Sequence, residues 1–323
     1  MTHLNFASSN IFTNFAPEIA FANRQYSRRK LLRTRTICDI KIQCSFAYSK
    51  KKQYFCKRNV VKDMNAANDA IMPIYRAIRE EGFSSHVLQQ IDDYTNDILN
   101  GRTNFPQFNL QEHAGLCSAD SVLIGAYTVA CYARTSLATS GNASACKGNP
   151  TNWEIDARQE ELVYQWAVAK KLWIPNSEQI LIDTFGPKIA QGAEAKVYYK
   201  SGDGAVIKER TSIYSTLGKA FESIVLHNAL FPETQMKVVG FTRDSDGLFR
   251  TILTQPYVEC ARLATKSEID KMVAAKGFCD NGDGRGVNYI GERLYLEDMH
   301  PANVFIDKIS EKPTCIDCIV KFR

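Results

Sequence analysis

At Ile189 the hydrophobic pattern of this 323-residue chain changes from helical spacing to alternation. That change limits the fold more than any other feature. A chain that is helical before it and alternating after it holds both helices and strands. Upstream, Val87/Leu88, Ile91, Tyr94 and Ile98 recur every three or four residues, with Ser84 or Ser85 as N-cap and Gly101 just past the end. Ala119 to Leu137 predicts a second, mostly buried helix. Glu154 to Leu172 predicts a third, with acids early, Lys170-Lys171 late and Pro175 beyond, as the helix dipole favours. Ser140 to Asn152 reads as a loop, and Trp153, Trp166 and Trp173 read as packing residues.

After Ile189 the chain reads as strand, small-residue turn at Gly192-Ala193, strand to Tyr199, turn at Ser201 to Gly204, and strand Ala205 to Lys208. A helix follows from Leu217 to Leu230, then strands Lys237 to Phe241 and Leu248 to Gln255. Gln255-Pro256-Tyr257-Val258 then crosses into a second region expected to be helical. Near the end come a strand from Asn303 to Asp307 and a returning strand from Cys315 to Val320.

Several of these positions carry chemistry. A Gly192-Ala193 turn allows backbone N–H groups close to phosphates. Lys208 on the next strand reaches phosphate oxygens with an ammonium, and Glu222, fourteen residues on, is placed to pair with it. Asp298, Asn303 and Asp317 have the layout of a phosphoryl-transfer site: one acid orients the attacking hydroxyl, while an amide oxygen and a carboxylate hold Mg²⁺. Each element alone has an ordinary reading, as a hairpin, a solvated helix-start carboxylate or a turn. Their order along the chain argues for the shared one. His227 has no partner in view and reads as a packed or surface histidine.

Charge divides the chain. Residues 1–62 hold 13 Lys/Arg against Glu18 and Asp39, so most of the 40 Lys/Arg and 35 Asp/Glu of the whole leave the remainder mildly acidic. This head is expected to be disordered. Three readings stay open for it: a leader upstream of Met64, a mitochondrial transit segment, or an arm touching nucleic acid through residues 24–62. The ten cysteines form no framework of a small secreted domain, no signal segment opens the chain, and no run is long enough to span a bilayer. These features point to the cytoplasm. Cys315-x-x-Cys318 brackets Asp317 within an expected buried strand and has no second Cys/His pair at zinc spacing, which argues against structural zinc or a redox role.

The Asp-Met-His-Pro-Ala-Asn segment at Asp298 is similar to the Asp-Leu-His-Pro-Gly-Asn form of small-molecule and atypical kinases. Together with Tyr164-Gln-Trp-Ala, Gly192-Ala-Glu-Ala-x-Val-Tyr, Val-Ile-Lys208, Leu226-His-Asn-x-Leu-Phe-Pro-Glu-Thr and Gln255-Pro-Tyr-Val, it resembles the polyvalent protein kinase domain. That family belongs to the protein-kinase-like superfamily and occurs in phage and mobile-element proteins. The resemblance implies an α+β, protein-kinase-like two-lobed fold over residues 177–323, with an antiparallel sheet in an N-lobe (177–257) and a minimal helical C-lobe (258–323). A helical preface (63–176) and the basic head (1–62) precede it.

It also implies a Mg-ATP-dependent phosphotransferase, acting on a protein hydroxyl, with a nucleotide-binding pseudokinase or scaffold module as the alternative. In that frame Gly192 and Ala193 cover the phosphates, Lys208 binds them with Glu222 as its partner, and backbone groups of Gln255, Tyr257 and Val258 meet the adenine. Asp298 is the catalytic base, and Asn303 and Asp317 are the Mg²⁺ ligands. The sequence departs from the superfamily pattern in having Leu296-Glu297 before Asp298, Ile-Asp-Cys around Asp317, and six residues beyond it.

Overall fold

A computed structural model of the chain describes residues 73–74, 76–103, 105, 120–139, 152–175, 177–202, 204–212 and 215–323. The basic head and most of the Ser140 to Asn152 segment lie outside these residues. Among the described residues, helical turns at 73–74 and 76–81 are followed by three longer helices: α1 (Ser85–Leu99), α2 (Ser121–Thr139) and α3 (Asn152–Ala169). Ser84 caps α1 by accepting a hydrogen bond from Val87 N, and Val87, Ile91 and Ile98 line its buried face. In α3 the buried face runs through Ile155, Leu162, Val163 and Trp166. Trp166 is 1% exposed, so truncating it to Ala costs about 3–5 kcal/mol. Trp153, read from sequence as a packing residue, is 70% exposed, because it falls on the opposite face of α3.

After α3 the chain turns at Lys171, which takes a positive φ, and enters the sheet region. Leu172 and Ile174 exchange backbone hydrogen bonds with Phe241, so this linker lies as a short parallel bridge along a sheet edge. Gly240 permits the approach: a Cβ there would stand 2.8 Å from the Leu172 carbonyl oxygen. A helix not expected from sequence, α4 (Ser177–Phe185), follows.

The alternating region forms a five-stranded antiparallel sheet of β1 (Lys188–Gln191), β2 (Ala195–Tyr199), β3 (Ala205–Arg210), β4 (Lys237–Arg243) and β5 (Phe249–Pro256), in the order β1-β2-β3-β5-β4. One face packs on α4 through Leu181, Tyr198, Ile207 and Ile252. Helix α5 (Leu217–Leu230) lies between β3 and β4 in sequence and has the bounds expected for it. It is apolar on nearly all sides and correspondingly buried, against α2, α3 and a C-terminal strand.

No side chain of its own caps α5, since Thr216 makes no such bond. The acceptors come from α3 instead: Asp156 Oδ1 takes Leu217 N at 2.7 Å and Gln159 Oε1 takes Gly218 N at 2.9 Å. One continuous core joins residues of α1, α2 and α3 to α5, the sheet and the C-terminal strands.

The C-terminal part differs from expectation. Residues 258–323 hold β6 (Cys260–Leu263), α6 (Lys266–Ala274), β7 (Cys279–Asp280), β8 (Tyr289–Ile290), β9 (Leu294–Glu297), β10 (Val304–Asp307), β11 (Pro313–Cys315) and β12 (Ile319–Phe322). This part is strand-rich rather than helical. The physical reason is its glycines: Gly277, Gly282, Gly284 and Gly286 all take positive φ and stop any helix after α6.

The strand expected over Cys315 to Val320 is also two strands. β11 pairs with β10, whereas β12 pairs with β9 in a different sheet. The chain changes sheets at Ile316 to Cys318, and the resulting break carries Asp317. The arrangement as a whole, helices packed on antiparallel sheets, is α+β.

Candidate active site

β3 positions the first group. Alternation along this strand sends Val206, Lys208 and Arg210 to one face. Lys208 is 6% exposed, and its ammonium donates to the Ile316 carbonyl at 2.9 Å and lies 3.9 Å from Asp317 Oδ2. Burial lowers its pKa from the usual lysine value, opposed by the charge of Asp317. Arg210, two residues on, donates to Asp317 Oδ1 at 3.2 Å and reaches Glu194 at 3.5 Å. Burial pushes the Asp317 carboxyl up, but Arg210 and Lys208 outweigh it and hold the group below the ordinary aspartate range. Asp317 is therefore an anion held by two buried cations. Its Oδ2, beyond hydrogen-bond distance of Lys208, is the oxygen left for a further ligand.

The second group lies on the loop after β9. Asp298 has φ 65, a left-handed conformation that costs a residue with a Cβ about 1–2 kcal/mol. Its neighbours hold it there. The Asp298 amide donates to Asn288 Oδ1 at 3.2 Å, and Asn288 in turn donates to Asp283 at 2.6 Å. Asn303 Nδ2 donates both to the Asp298 carbonyl at 2.9 Å and to its carboxylate at 3.0 Å, which turns the Asn303 amide oxygen the other way.

The Nδ1 of His300 accepts from Ala302 N, so the proton sits on Nε2, 3.5 Å from Asp298 Oδ1. The Asp298 carboxyl is raised above its ordinary value, by partial burial and then by the negative charge of Asp317, with His300 and Asn303 opposing. Finally, Ile316 N donates to the Asn303 carbonyl at 2.9 Å. That bond joins the Asp298–Asn303 loop to the segment carrying Asp317.

Glu222 is not joined to Lys208. Lys219, three residues before it on the same face of α5, donates to its carboxylate at 2.6 Å, and Tyr127 donates at 3.4 Å. The sequence distance to Lys208 was compatible with pairing, but a lysine on the same helix is the nearer cation, and Lys208 is held by the 316–317 segment instead. Gly192 and Ala193 form the exposed β1–β2 turn, closed by Gly192 N donating to Ala195 O at 2.7 Å. The ion pair from Glu194 through Arg210 ties this turn to Asp317.

Gln255, 2% exposed, points inward and donates to the carbonyls of Thr234 (2.7 Å) and Ile316 (3.1 Å). Tyr257 stacks on Tyr199 with centroids 4.5 Å apart, and its amide donates to Gly204 O, with Val258 half-buried beyond it. The sequence reading missed Arg210 and Glu194. The signal for Arg210 was available, since it shares the face of β3 that carries Lys208.

These groups approach one another from segments more than 100 residues apart. The model of one protein family, the serine/threonine/tyrosine kinase found in polyvalent proteins, matches residues 156–323, more than half of the chain. The chain belongs to this polyvalent-protein kinase family. Its match begins at Asp156, the α3 residue that accepts the first free amide of α5, so the kinase family's unit includes part of the helical region. No curated protein matches the chain. Among the described residues, no helix is long and apolar enough to cross a membrane.

Proposed function

We propose that the chain is a Mg-ATP-dependent phosphotransferase acting on a hydroxyl acceptor, a protein side chain in the first instance, with its nucleotide between the five-stranded sheet as an N-lobe and residues 258–323 as a C-lobe. The observation that carries this reading is the approach of Lys208 and Asp317, with Asp317 tied through Ile316 and Asn303 to Asp298. The donors suit magnesium: the Asp317 carboxylate and the outward Asn303 amide oxygen are hard oxygen ligands. When bound, Mg²⁺ supplies charge neutralisation for the phosphate oxygens.

The chain's own groups do the rest. Lys208 and Arg210 provide fixed positive charge in a buried setting, where it acts more strongly than in water. Asp298, held by Asn288 and Asn303, faces the acceptor hydroxyl and takes its proton. Partial burial and the nearby Asp317 charge raise its carboxyl above the ordinary aspartate value, which makes it a better proton acceptor. The Gly192-Ala193 turn offers backbone amides to the phosphates, and the segment from Gln255 to Val258 bounds the base. Family membership places such kinases in polyvalent proteins, which supports a role in a mobile-element or phage protein working inside a cell.

A second reading, nucleotide binding without transfer, has specific support. Arg210 occupies one oxygen of Asp317, and Glu222 is engaged by Lys219. The test is phosphate transfer from labelled ATP with Mg²⁺ to proteins of a host lysate, with release of ADP. Asp298→Asn is expected to lower transfer by about 10²–10⁴-fold while ATP still raises the melting temperature. Full transfer by Asp298→Asn removes Asp298 as the base. Stabilisation by ATP with no ADP from the unmodified protein selects the second reading.

A further inference from the structure

Beside the groups assigned to phosphotransfer lies a separate set of soft donors. His227, on α5, is 0% exposed, and Cys315 and Cys318 are 0% and 2% exposed. One ring nitrogen of the histidine and the two sulfurs lie within 4.8 Å of one another. The sequence shows Cys315-x-x-Cys318 without a second Cys/His pair at zinc spacing. Folding brings the third donor from 91 residues away.

The orientation of His227 is the second observation. Its Nε2 lies 3.3 Å from the Thr234 carbonyl, which can only accept, so Nε2 carries the proton. Nδ1 therefore presents its lone pair, and what it faces is Cys318 Sγ at 3.3 Å. A histidine that donates one N–H to a backbone carbonyl and aims the other nitrogen at a thiol has the second-sphere arrangement of a metal-ligating imidazole. A fourth soft atom is at hand, the Met299 thioether, 3.8 Å from Cys315 Sγ.

We propose that His227, Cys315 and Cys318 form a thiophilic metal site that takes zinc(II), with the Met299 sulfur next to its fourth position. Zn–S bonds of about 2.3 Å and Zn–N bonds of about 2.0–2.1 Å in a tetrahedron place sulfurs about 3.8 Å apart and sulfur and nitrogen about 3.6 Å apart. His227 Nδ1 and Cys318 Sγ stand 3.3 Å apart and all three donors lie within 4.8 Å of one another, a span that side-chain adjustment can close around one ion.

Binding displaces one proton from each thiol: two R–SH and Zn²⁺ give a neutral (RS)₂Zn unit and two protons. The Cys315 proton now directed at the Asp317 carbonyl is one of the two. The neutral product suits a site with no water-facing surface. Thiolate and imidazole also separate this ion from magnesium, which prefers the oxygens of Asp317 and Asn303. The position gives the metal a role: His227 belongs to α5, the cysteines flank Asp317, and Met299 follows Asp298, so one ion would tie three elements of the site together. The proposal stands independently of phosphotransfer.

The test is zinc content of the full chain, purified under reducing conditions, by mass spectrometry of the metal and by competition with a chromophoric chelator. Cobalt(II) replacement serves as the spectroscopic probe. One zinc per chain is expected, with a thiolate-to-cobalt charge-transfer band and tetrahedral ligand-field absorption. Cys318→Ser and His227→Gln are each expected to weaken zinc binding by about 100-fold or more, since changes outside the ligand sphere alone cost about 10–100-fold. Cys279→Ser, at an exposed cysteine away from the cluster, should leave zinc binding intact. Circular dichroism of each variant separates loss of the metal from loss of the fold. If the folded, reduced wild-type chain takes up zinc no better than Cys318→Ser, or its cobalt form shows no thiolate band, the proposal is overturned, whatever the outcome of the ATP assays.

Discussion

Asp298 is held in a conformation that most side chains avoid, which makes its contribution to stability separable from its contribution to chemistry. Asp298→Ala and Asp298→Gly both delete the carboxylate, and with it the Asn303 and His300 contacts. They differ only in what remains at φ 65. Alanine keeps a Cβ there and pays the left-handed penalty of about 1–2 kcal/mol. Glycine escapes it but loses about 0.5–1 kcal/mol more in backbone entropy on folding. The difference favours Asp298→Gly by about 0.5–1 kcal/mol. In a chain of this size that corresponds to about 1–2 °C in melting temperature.

Urea denaturation of the two variants side by side reads the gap directly, since the lost contacts cancel. Both should be equally deficient in phosphate transfer. If Asp298→Ala is as stable as Asp298→Gly or more so, the backbone at 298 is not held left-handed and the account of how the proposed base is positioned fails.

Other consequences follow from the same contacts. Asp317 has a depressed pKa, so its contribution to stability is complete above the unfolded value of 3.8 and is lost as pH falls through the lower folded value. Asp317→Asn should remove that segment of the acid-unfolding curve. At neutral pH it should destabilise the fold by about 2 kcal/mol, less than the 3–5 typical of a fully buried pair because Asp317 is partly exposed; unchanged acid titration contradicts the assignment. Gly192 has no positive φ, and a Cβ there would sit 3.8 Å from the Ala195 carbonyl oxygen. Gly192→Ala is therefore expected to leave stability within about 0.5 kcal/mol while raising KM for ATP; a large drop in melting temperature means that the turn is more constrained than it looks. Because Glu222 is bonded to Lys219 and Tyr127, Glu222→Gln should change kcat less than tenfold, and a hundredfold loss indicates that Lys208 recruits Glu222 during turnover.

The parts of this structure that could be read in advance are those set by local periodicity. The bounds of α5 and the three strands before it follow from spacing, and Lys208 follows from its place on one of them. Family resemblance then ordered Asp298, Asn303 and Asp317. What escaped the reading depends on choices between distant partners. Alternation identifies a strand near Cys315, but not that pairing passes from β10 to β9 at Asp317. The spacing of Lys208 and Glu222 allows a pair, yet a cation three residues away on α5 prevails. The turn-rich stretch around Gly282 to Gly286 defeats helix formation, which is why an expected helical region is a set of short strands. His227 had no partner in the sequence because its partners are at the far end of the chain.

The borrowed cap of α5 has a practical meaning for how this protein can be divided or controlled. A polypeptide started at residue 177, the domain boundary that the kinase resemblance suggests, would lack Asp156 and Gln159 and leave the first amides of α5 without acceptors, beside an apolar face stripped of α2 and α3. Such a fragment is expected to be poorly soluble. Conversely, a binding partner that tilted α3 would pull on the start of the helix bearing His227 and Glu222 without touching the nucleotide. Two hydrogen bonds would carry any such movement of α3 into α5.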